Sequence, residues 1–327
     1  MERWRMARGR RLLLPLMTLL ALLIVSAGVV AAWASGNPAG VEAAANRLLP
    51  RMANYDDPDG PLYSGAYAAD NQEDPAELVV VTYNLRYAED LAGAIAAWRA
   101  ANPLPLADIV LLQEMDPPGV ELLARELGYN YVYYPASVAE DGDDFGNAIL
   151  ARWPISNPHK LILPGRHPIT GQMRAATRAV VHVGERDVLV YSTHIEVATA
   201  TPALRAGQVA AIVKDIPDDA AYVIVGGDFN TVTRRGVDSM AELFAAVGLE
   251  HATADLGPTF TRFGLRPSAT DHLFSRGFER VDAGVLGDIT ASDHFPVWAR
   301  LGLPARLTGY QPSLALESGR TGRFRRR

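Results

Sequence analysis

Short runs of β-branched and apolar residues, each ending in a polar cluster, set the strongest limit on how this 327-residue chain can fold. LVVVTY (78–83) stops at Asn84, and IVLLQ (109–113) stops at Glu114. Runs this short and this apolar predict strands buried on both faces. Further strands are expected at Tyr131–Pro135, Asn147–Ala151, Ala179–Val183, Val188–Thr193, Tyr222–Gly227, Leu273–Phe274, Val281–Val285 and Val297–Leu301. Gly184-Glu185-Arg186-Asp187 turns one hairpin. Helical patterns fall at Leu91–Ala101, Gly119–Leu127, Thr201–Ile216 and Ser239–Ala246. Many strands with few helices between them predict packed sheets with helices outside.

The flanks differ from this core. Arg3, Arg5, Arg8, Arg10 and Arg11 precede an uncharged, mostly apolar run, Leu12–Ala34. Its 23 residues match the roughly 20 that cross a bilayer. Ala32-Trp33-Ala34 also offers a signal-peptidase pattern. Residues 1–34 therefore read as a basic region plus a membrane anchor or a cleaved signal peptide. Both leave the arginines inside and the remaining chain extracytoplasmic, on the membrane or secreted. Residues 35–77 read as a linker, with a short helix at Val41–Met52, 78–303 as the domain, and 304–327 as a basic tail. Subtracting the two basic ends leaves a net charge of −15 over residues 35–303. That balance argues against a broad basic face for duplex nucleic acid. There is no cysteine, which excludes thiolate metal sites and cysteine nucleophiles.

The strand ends carry the chemistry. Asn84, Glu114, His194, Asp228 with Asn230, Asp271, and Asp293-His294 all sit at or beside predicted strand termini. Each alone has an ordinary explanation as a turn former, a cap or a core histidine. Together they suit hydrolysis of a phosphate ester, where positive charge must meet the phosphate oxygens and a base must activate water. Glu114 offers a hard oxygen ligand for Mg²⁺, with Mn²⁺ as a substitute. Asp228 can orient or deprotonate the attacking water. His194 and His294 can hydrogen-bond the non-bridging oxygens, more strongly if protonated. Asp271 can hold a histidine and raise its pKa. Asn84 and Asn230 can orient ligands without adding charge. The chain has no G-x-S-x-G elbow, no H-E-x-x-H motif and no Walker-type loop.

In order along the chain, TYNLRY (82–87), LLQEMD (111–116), GNAILARWPI (146–155), STHIE (192–196), GGDFNT (226–231), DHLF (271–274) and SDHFPVWARL (292–301) resemble the endonuclease/exonuclease/phosphatase superfamily. The resemblance implies a deoxyribonuclease I-like α/β fold, a four-layer α-β-β-α sandwich with its site at one end of paired sheets. It implies Glu114 as main metal ligand, Asn84 as its neighbour or a direct ligand, and Asp293 as a further ligand. Asp228 and Asn230 would orient water and phosphate, His294 would contact the scissile phosphate with Asp271 as its partner, and His194 would be a second phosphate contact. Asn147 would be a structural or substrate-side residue. Arg178 is the candidate substrate phosphate contact, with Arg174 the competing choice.

The resulting expectation is an extracytoplasmic, Mg²⁺-dependent, monomeric phosphodiesterase or nuclease, its phosphodiester substrate a nucleic acid or a phospholipid head group. The alternatives are a sphingomyelinase-like phospholipid or phosphoinositide head-group hydrolase, and a non-catalytic surface-tethered binding domain. The first alternative draws on the N-terminal apolar run. Trp98, Trp153 and Tyr131, Tyr133 and Tyr134 look like core rather than a membrane-entering hairpin.

Overall fold

A computed structural model describes residues 53–69, 74–139, 142–167, 170–197, 200–261 and 267–304. The anchor or signal expectation for 1–34, the Val41–Met52 helix and all of the tail but Pro304 lie outside them. Among the described residues no helix is long and apolar enough to cross a membrane.

Two sheets face each other. The first has seven strands, in the order β1 (Tyr63–Ala66), β4 (Asn130–Val138), β5 (Asp144–Ala151), β3 (Ile109–Met115), β2 (Glu77–Asn84), β13 (Val297–Gly302) and β12 (Glu279–Val285). The second has six, in the order β10 (Glu250–His251), β11 (Asp271–Arg276), β9 (Tyr222–Asp228), β8 (Arg186–His194), β7 (Ala175–Val183) and β6 (Ile155–Ile162). Helices α1 (Leu91–Ala100) and α2 (Pro117–Leu127) cover the outer face of the first sheet. Helices α3 (Pro202–Asp215) and α4 (Arg234–Ala245) cover the second.

The continuous apolar runs are explained by these layers. Leu78 and Val80 of β2 and Ile109 and Leu111 of β3 point between the sheets, against Val188 and Val190 of β8 and Ile224 of β9. Their neighbours Val79, Val81, Val110 and Leu112 point outward under α1 and α2. Strands buried on both faces have no polar side to show. The helices start on side-chain caps: Asp90 accepts from Gly93 N, Asp116 from Gly119 N, Thr201 from Leu204 N and Thr233 from Gly236 N. The aromatic residues expected in the core, Trp98, Trp153, Tyr131, Tyr133 and Tyr134, are all buried.

Three strands escape the sequence pattern. β1 and the described segment before it, from residue 53, fall within the stretch expected as a linker, 35–77, and there they join the sheet; residues 35–52 and 70–73 of that stretch lie outside the described residues. Tyr63–Ala66 pairs antiparallel with β4. Buried Lys160 donates to the carbonyls of Tyr55, at 2.9 Å, and Gly60. Asn54 bonds Gly171 O and Met173 N, so this arm joins the core through polar contacts that leave no hydrophobic periodicity. β6 contains Asn157, at φ 50°, and Pro158, and its register with β7 shifts between Ser156 and His159. It is an edge strand, the place in a sheet where proline is tolerated. β10 is only two residues long.

Leu111 is fully buried between the sheets. Leu111→Ala is expected to lower unfolding stability by about 2–5 kcal/mol, read as a shift in the denaturant midpoint. A loss below ~1 kcal/mol would contradict a tightly packed inter-sheet layer.

Candidate active site

Strand register gathers the polar ends. β2 runs parallel to β3, which sets Asn84 beside Gln113. β8 runs parallel to β9, which sets His194 beside Asp228. β11 is antiparallel to β9, so its first residue, Asp271, pairs with that same Asp228. β13 is antiparallel to β2, so Asp293 and His294, just before it, return to the end marked by Asn84. Gly227 permits the β8–β9 approach, because a Cβ there would lie 1.8 Å from Thr193 O. Its φ of 151° also lies in glycine's territory.

Glu114 is aimed by a local irregularity. The β3–β5 register shifts between Leu112 and Met115, and Glu114 adopts φ 57°. Asn230 is similarly left-handed, at φ 46°. Non-glycine residues held this way cost about 1–3 kcal/mol each and concentrate at active sites.

At the centre, Asn84 donates through Nδ2 to Glu114 Oε1 and Asp228 Oδ2, both at 3.1 Å. Its Oδ1 accepts from Arg86 N at 2.9 Å. Asn84 therefore bridges two carboxylates through its amide nitrogen. Asp228 Oδ2 lies 3.5 Å from His194 Nε2 and 3.6 Å from His294 Nε2. Burial raises the pKa of Glu114, against the Asn84 hydrogen bond and the positive charges of His294 and Arg174. Burial likewise pushes Asp228 up to about 7, with His294 opposing.

The two histidines behave oppositely. Burial works against a charged His294, but Asp271, at 2.8 Å from Nδ1, and Asp228 outweigh it and raise the pKa to about 10. Asp271 is itself fixed by the hydroxyls of Thr259, at 2.6 Å, and Thr270, at 3.0 Å. His194 is held well below the usual histidine range, by burial first, then by Arg174 and His294. Its ring nitrogens face two donors, Arg174 Nη1 at 3.2 Å and Asn230 Nδ2 at 3.0 Å. The condition attached to the phosphate contacts, a stronger hydrogen bond if protonated, is therefore favoured at His294 and disfavoured at His194.

Three other expected residues need relocation. Arg178 lies on the helix side of β7, ion-paired to Asp215 of α3 at 3.0 Å, away from the cleft. Arg174, the competing choice, is the arginine the fold delivers. It is buried beside His194, with Glu196 Oε1 3.3 Å from Nη2 and the Phe145 ring 5.4 Å from Cζ. Asn147 ties the sheets together: its Nδ2 donates to Ala175 O at 2.7 Å, and its own carbonyl accepts from Thr177 at 2.8 Å. That is a structural position rather than a substrate contact. Asp293 lies at the rim, 3.7 Å from Arg86 Nε, and is outside the two tight ligand groupings.

Those groupings are Glu114–His194–Asp228 and Asp228–Asp271–His294, each with its ligand atoms within 4.8 Å of one another. The second is already a hydrogen-bonded carboxylate–imidazolium pair. The first sets two carboxylates whose ionisation burial penalises beside a neutral imidazole. A hard cation fits that donor set, because it would offset the buried negative charge.

Sequence reasoning missed Glu196, Phe145 and Phe260. Glu196, fully buried, closes the STHIE strand end and holds Arg174. Phe145 packs 5.6 Å from His194, and Phe260 packs 4.7 Å from His294. The exit position of Glu196 was a usable signal. Nothing in the local sequence marked the two phenylalanines.

A family model described as the Endonuclease/Exonuclease/phosphatase family matches residues 81–294. This agrees with the resemblance read from the motifs. A search of curated proteins finds no match. Among solved structures, an endonuclease/exonuclease/phosphatase from Beutenbergia cavernae superposes with TM-score 0.57 at 21% identity, covering 70% of this chain and 72% of that one. TDP2 of D. rerio, complexed with a single-strand DNA product, gives 0.57 at 19%, covering 70% and 100%. Mannosyl-6-phosphatase Bt3783 of Bacteroides thetaiotaomicron gives 0.54 at 20%, covering 68% and 99%. At these identities the superpositions establish the fold, including the two face-to-face sheets.

Because the pKa of His294 in the folded protein lies above its ordinary 6.5, its charge contributes stability in full below that pH. The contribution fades as pH rises toward about 10. In NMR titration of the metal-free protein, His294 is expected to stay protonated through neutral pH, and Asp271→Asn to drop its pKa. A His294 that titrates in Asp271→Asn as it does in the wild type would show that Asp271 does not hold the charge.

Proposed function

The chain belongs to the endonuclease/exonuclease/phosphatase family and is a phosphoester hydrolase, and we propose that it cleaves phosphodiesters with Mg²⁺ on the outer side of a membrane, as a monomer. One observation carries the assignment of the chemistry: His294, hydrogen-bonded to Asp271, faces buried Asp228 beside Glu114.

Glu114 would be the principal metal ligand, with Asp228 next to it, Asn84 bridging both and Asp293 at the rim. A bound divalent cation supplies charge neutralisation at a phosphoryl oxygen and at the leaving oxyanion. Mn²⁺ would serve as a substitute, since both ions favour oxygen ligands.

The protein's own groups do the rest. His294 donates from Nε2 to a non-bridging oxygen and, being charged, forms a stronger hydrogen bond than a neutral donor. Arg174 adds a second cation on the opposite wall. Neutral His194 and the Asn230 amide, hydrogen-bonded to each other, would contact the phosphate from one side. Asp228, with its pKa near 7, orients water and accepts its proton close to neutral pH. Phe145 and Phe260 line the two histidine walls and keep them dry, which strengthens each charge interaction.

Several features support the finer points. The arginine-flanked run Leu12–Ala34 supports the extracytoplasmic placement. The same run favours a second reading, a phospholipid or phosphoinositide head-group hydrolase. One structural neighbour is complexed with single-strand DNA and another is named as a sugar phosphatase, so ester hydrolysis is the common ground. The −15 balance of residues 35–303 speaks against tight duplex binding. Glu114, Asp228 and His294 are all present, which speaks against a catalytically dead binding domain.

The deciding assay offers the purified full chain plasmid DNA, RNA, sphingomyelin vesicles, phosphoinositides and a chromogenic phosphodiester, in Mg²⁺, Mn²⁺ or EDTA. Asp228→Ala is expected to lower kcat by ~10²–10⁴-fold, and EDTA to abolish turnover. Vesicle-dependent turnover would select the lipid reading. Nucleic-acid cleavage that falls steeply with salt would select the nuclease reading. Inactivity of the wild type on every substrate would favour the binding domain.

A paired substitution separates the two arginines. Arg174→Ala is expected to lower kcat/KM by about 10- to 100-fold, the worth of a charged hydrogen bond. Arg178→Ala is expected to stay within ~3-fold, because its partly exposed ion pair with Asp215 lies on the helix side of β7. The reverse order of losses would return Arg178 to the site.

A further inference from the structure

Tyr87 stands out among the exposed large hydrophobic residues because it joins the cleft wall. Its side of the molecule is set by Asn84, three residues earlier. Tyr87 is 47% exposed. Its ring centroid lies 5.4 Å from that of Phe145, tilted 44°. Phe145 is buried, and its ring in turn meets His194, at 5.6 Å, and the Arg174 guanidinium, at 5.4 Å. The aromatic path therefore runs from the proposed phosphate contacts straight out to solvent. Two other exposed tyrosines, Tyr63 and Tyr67, pack instead on Tyr133 and Tyr131 of β4.

The backbone that displays Tyr87 is unusual. Arg86, Tyr87 and Ala88 have φ of 42°, 55° and 53°, three successive non-glycine residues in the left-handed region. Such a run is costly and persists only where its surroundings over-determine it. Here they do. Arg86 N donates to Asn84 Oδ1, and Glu89 N to Arg86 O at 3.2 Å. Arg86 Nε lies 3.5 Å from Glu89 and 3.7 Å from Asp293. The turn is thus pinned to two residues of the site, and it holds a large ring at the mouth of the cleft.

We propose that Tyr87, backed by the buried Phe145 ring, forms a stacking ledge for a planar aromatic group esterified to the bound phosphate, a nucleobase-bearing or aryl moiety; this rests on the phosphoester-hydrolase reading of the cleft. A single ring set among Arg86, Glu89 and Asp293 suits a flat group with polar edges. An acyl chain needs a broader apolar surface than one ring provides. Stacking on a fixed aromatic side chain accepts any π-face, which makes the ledge a selector for aromatic esters rather than for one base.

The test measures equilibrium binding of thymidine 5′-monophosphate, phenyl phosphate and ribose 5-phosphate in Mg²⁺. It uses the full chain carrying Asp228→Ala, so that turnover does not consume the ligands. Thymidine 5′-monophosphate or phenyl phosphate is expected to bind about 5- to 150-fold tighter than ribose 5-phosphate, the worth of one aromatic stack. Which of the two gains more identifies the source of the ring. Adding Tyr87→Ala is expected to erase the preference, and Tyr87→Phe to keep it. No preference, or one that survives Tyr87→Ala, overturns the ledge. Wild-type turnover is scored separately. A Tyr87-dependent preference in a chain with no turnover would retain the ledge and sink the hydrolase reading, and turnover without a preference would do the reverse.

Discussion

Two sheets share one layer of Val, Ile and Leu side chains, and the geometry of the cleft depends on that shared burial. Leu78, Val80, Ile109, Leu111, Val188, Val190 and Ile224 meet there, while their neighbours face the helices. A one-residue slip would turn each set to the wrong face, so the pairing register is fixed by apolar burial. The fixed register then delivers polar strand ends to one place. Asp228 receives His194 from one neighbouring strand and Asp271 from the other. A hydrophobic constraint in the middle of the molecule thus sets distances between charges at its end.

Those charges are held away from water and tune one another. Burial alone would leave Glu114 and Asp228 reluctant to ionise and His294 reluctant to protonate. Asp271 settles the balance for His294, and Thr259 and Thr270 hold Asp271 in turn. His194 has its nearest carboxylate, Asp228, at 3.5 Å, and burial, then Arg174, keeps its pKa well down. Two histidines of similar motif context therefore acquire different charges. The difference is environmental, as it is wherever neighbouring titratable groups divide acid and base work.

The cleft also holds conformational strain. Glu114, Asn230 and residues 86–88 all adopt left-handed backbone without glycine. Each is anchored by the polar network itself: Asn84 bridges the two carboxylates, Asp228 accepts from Asn230 N, and Asn84 accepts from Arg86 N. The network keeps side chains aimed that an unstrained strand end would splay. Arg174 extends the same logic on the far wall, where Glu196 and Phe145 fix a guanidinium otherwise rich in rotamers.

The sequence alone determined the strands, because continuous burial leaves an apolar run that local reading detects. It also marked most of the residues that meet in the cleft, because Asn84, Glu114, His194, Asp228, Asn230, Asp271 and His294 all stand at or beside strand ends. It did not locate β1 or β6, whose cohesion comes from polar anchors such as Lys160 and from an edge bulge at Asn157–Pro158. Only the tertiary structure set Arg174 rather than Arg178 beside His194, made Asn147 an inter-sheet tie, and shifted the His194 and His294 pKa values in opposite directions. Side-chain direction and burial follow from which elements pack across the sheets. That is a property of contacts between residues far apart in the chain, and a residue's local neighbours do not encode it.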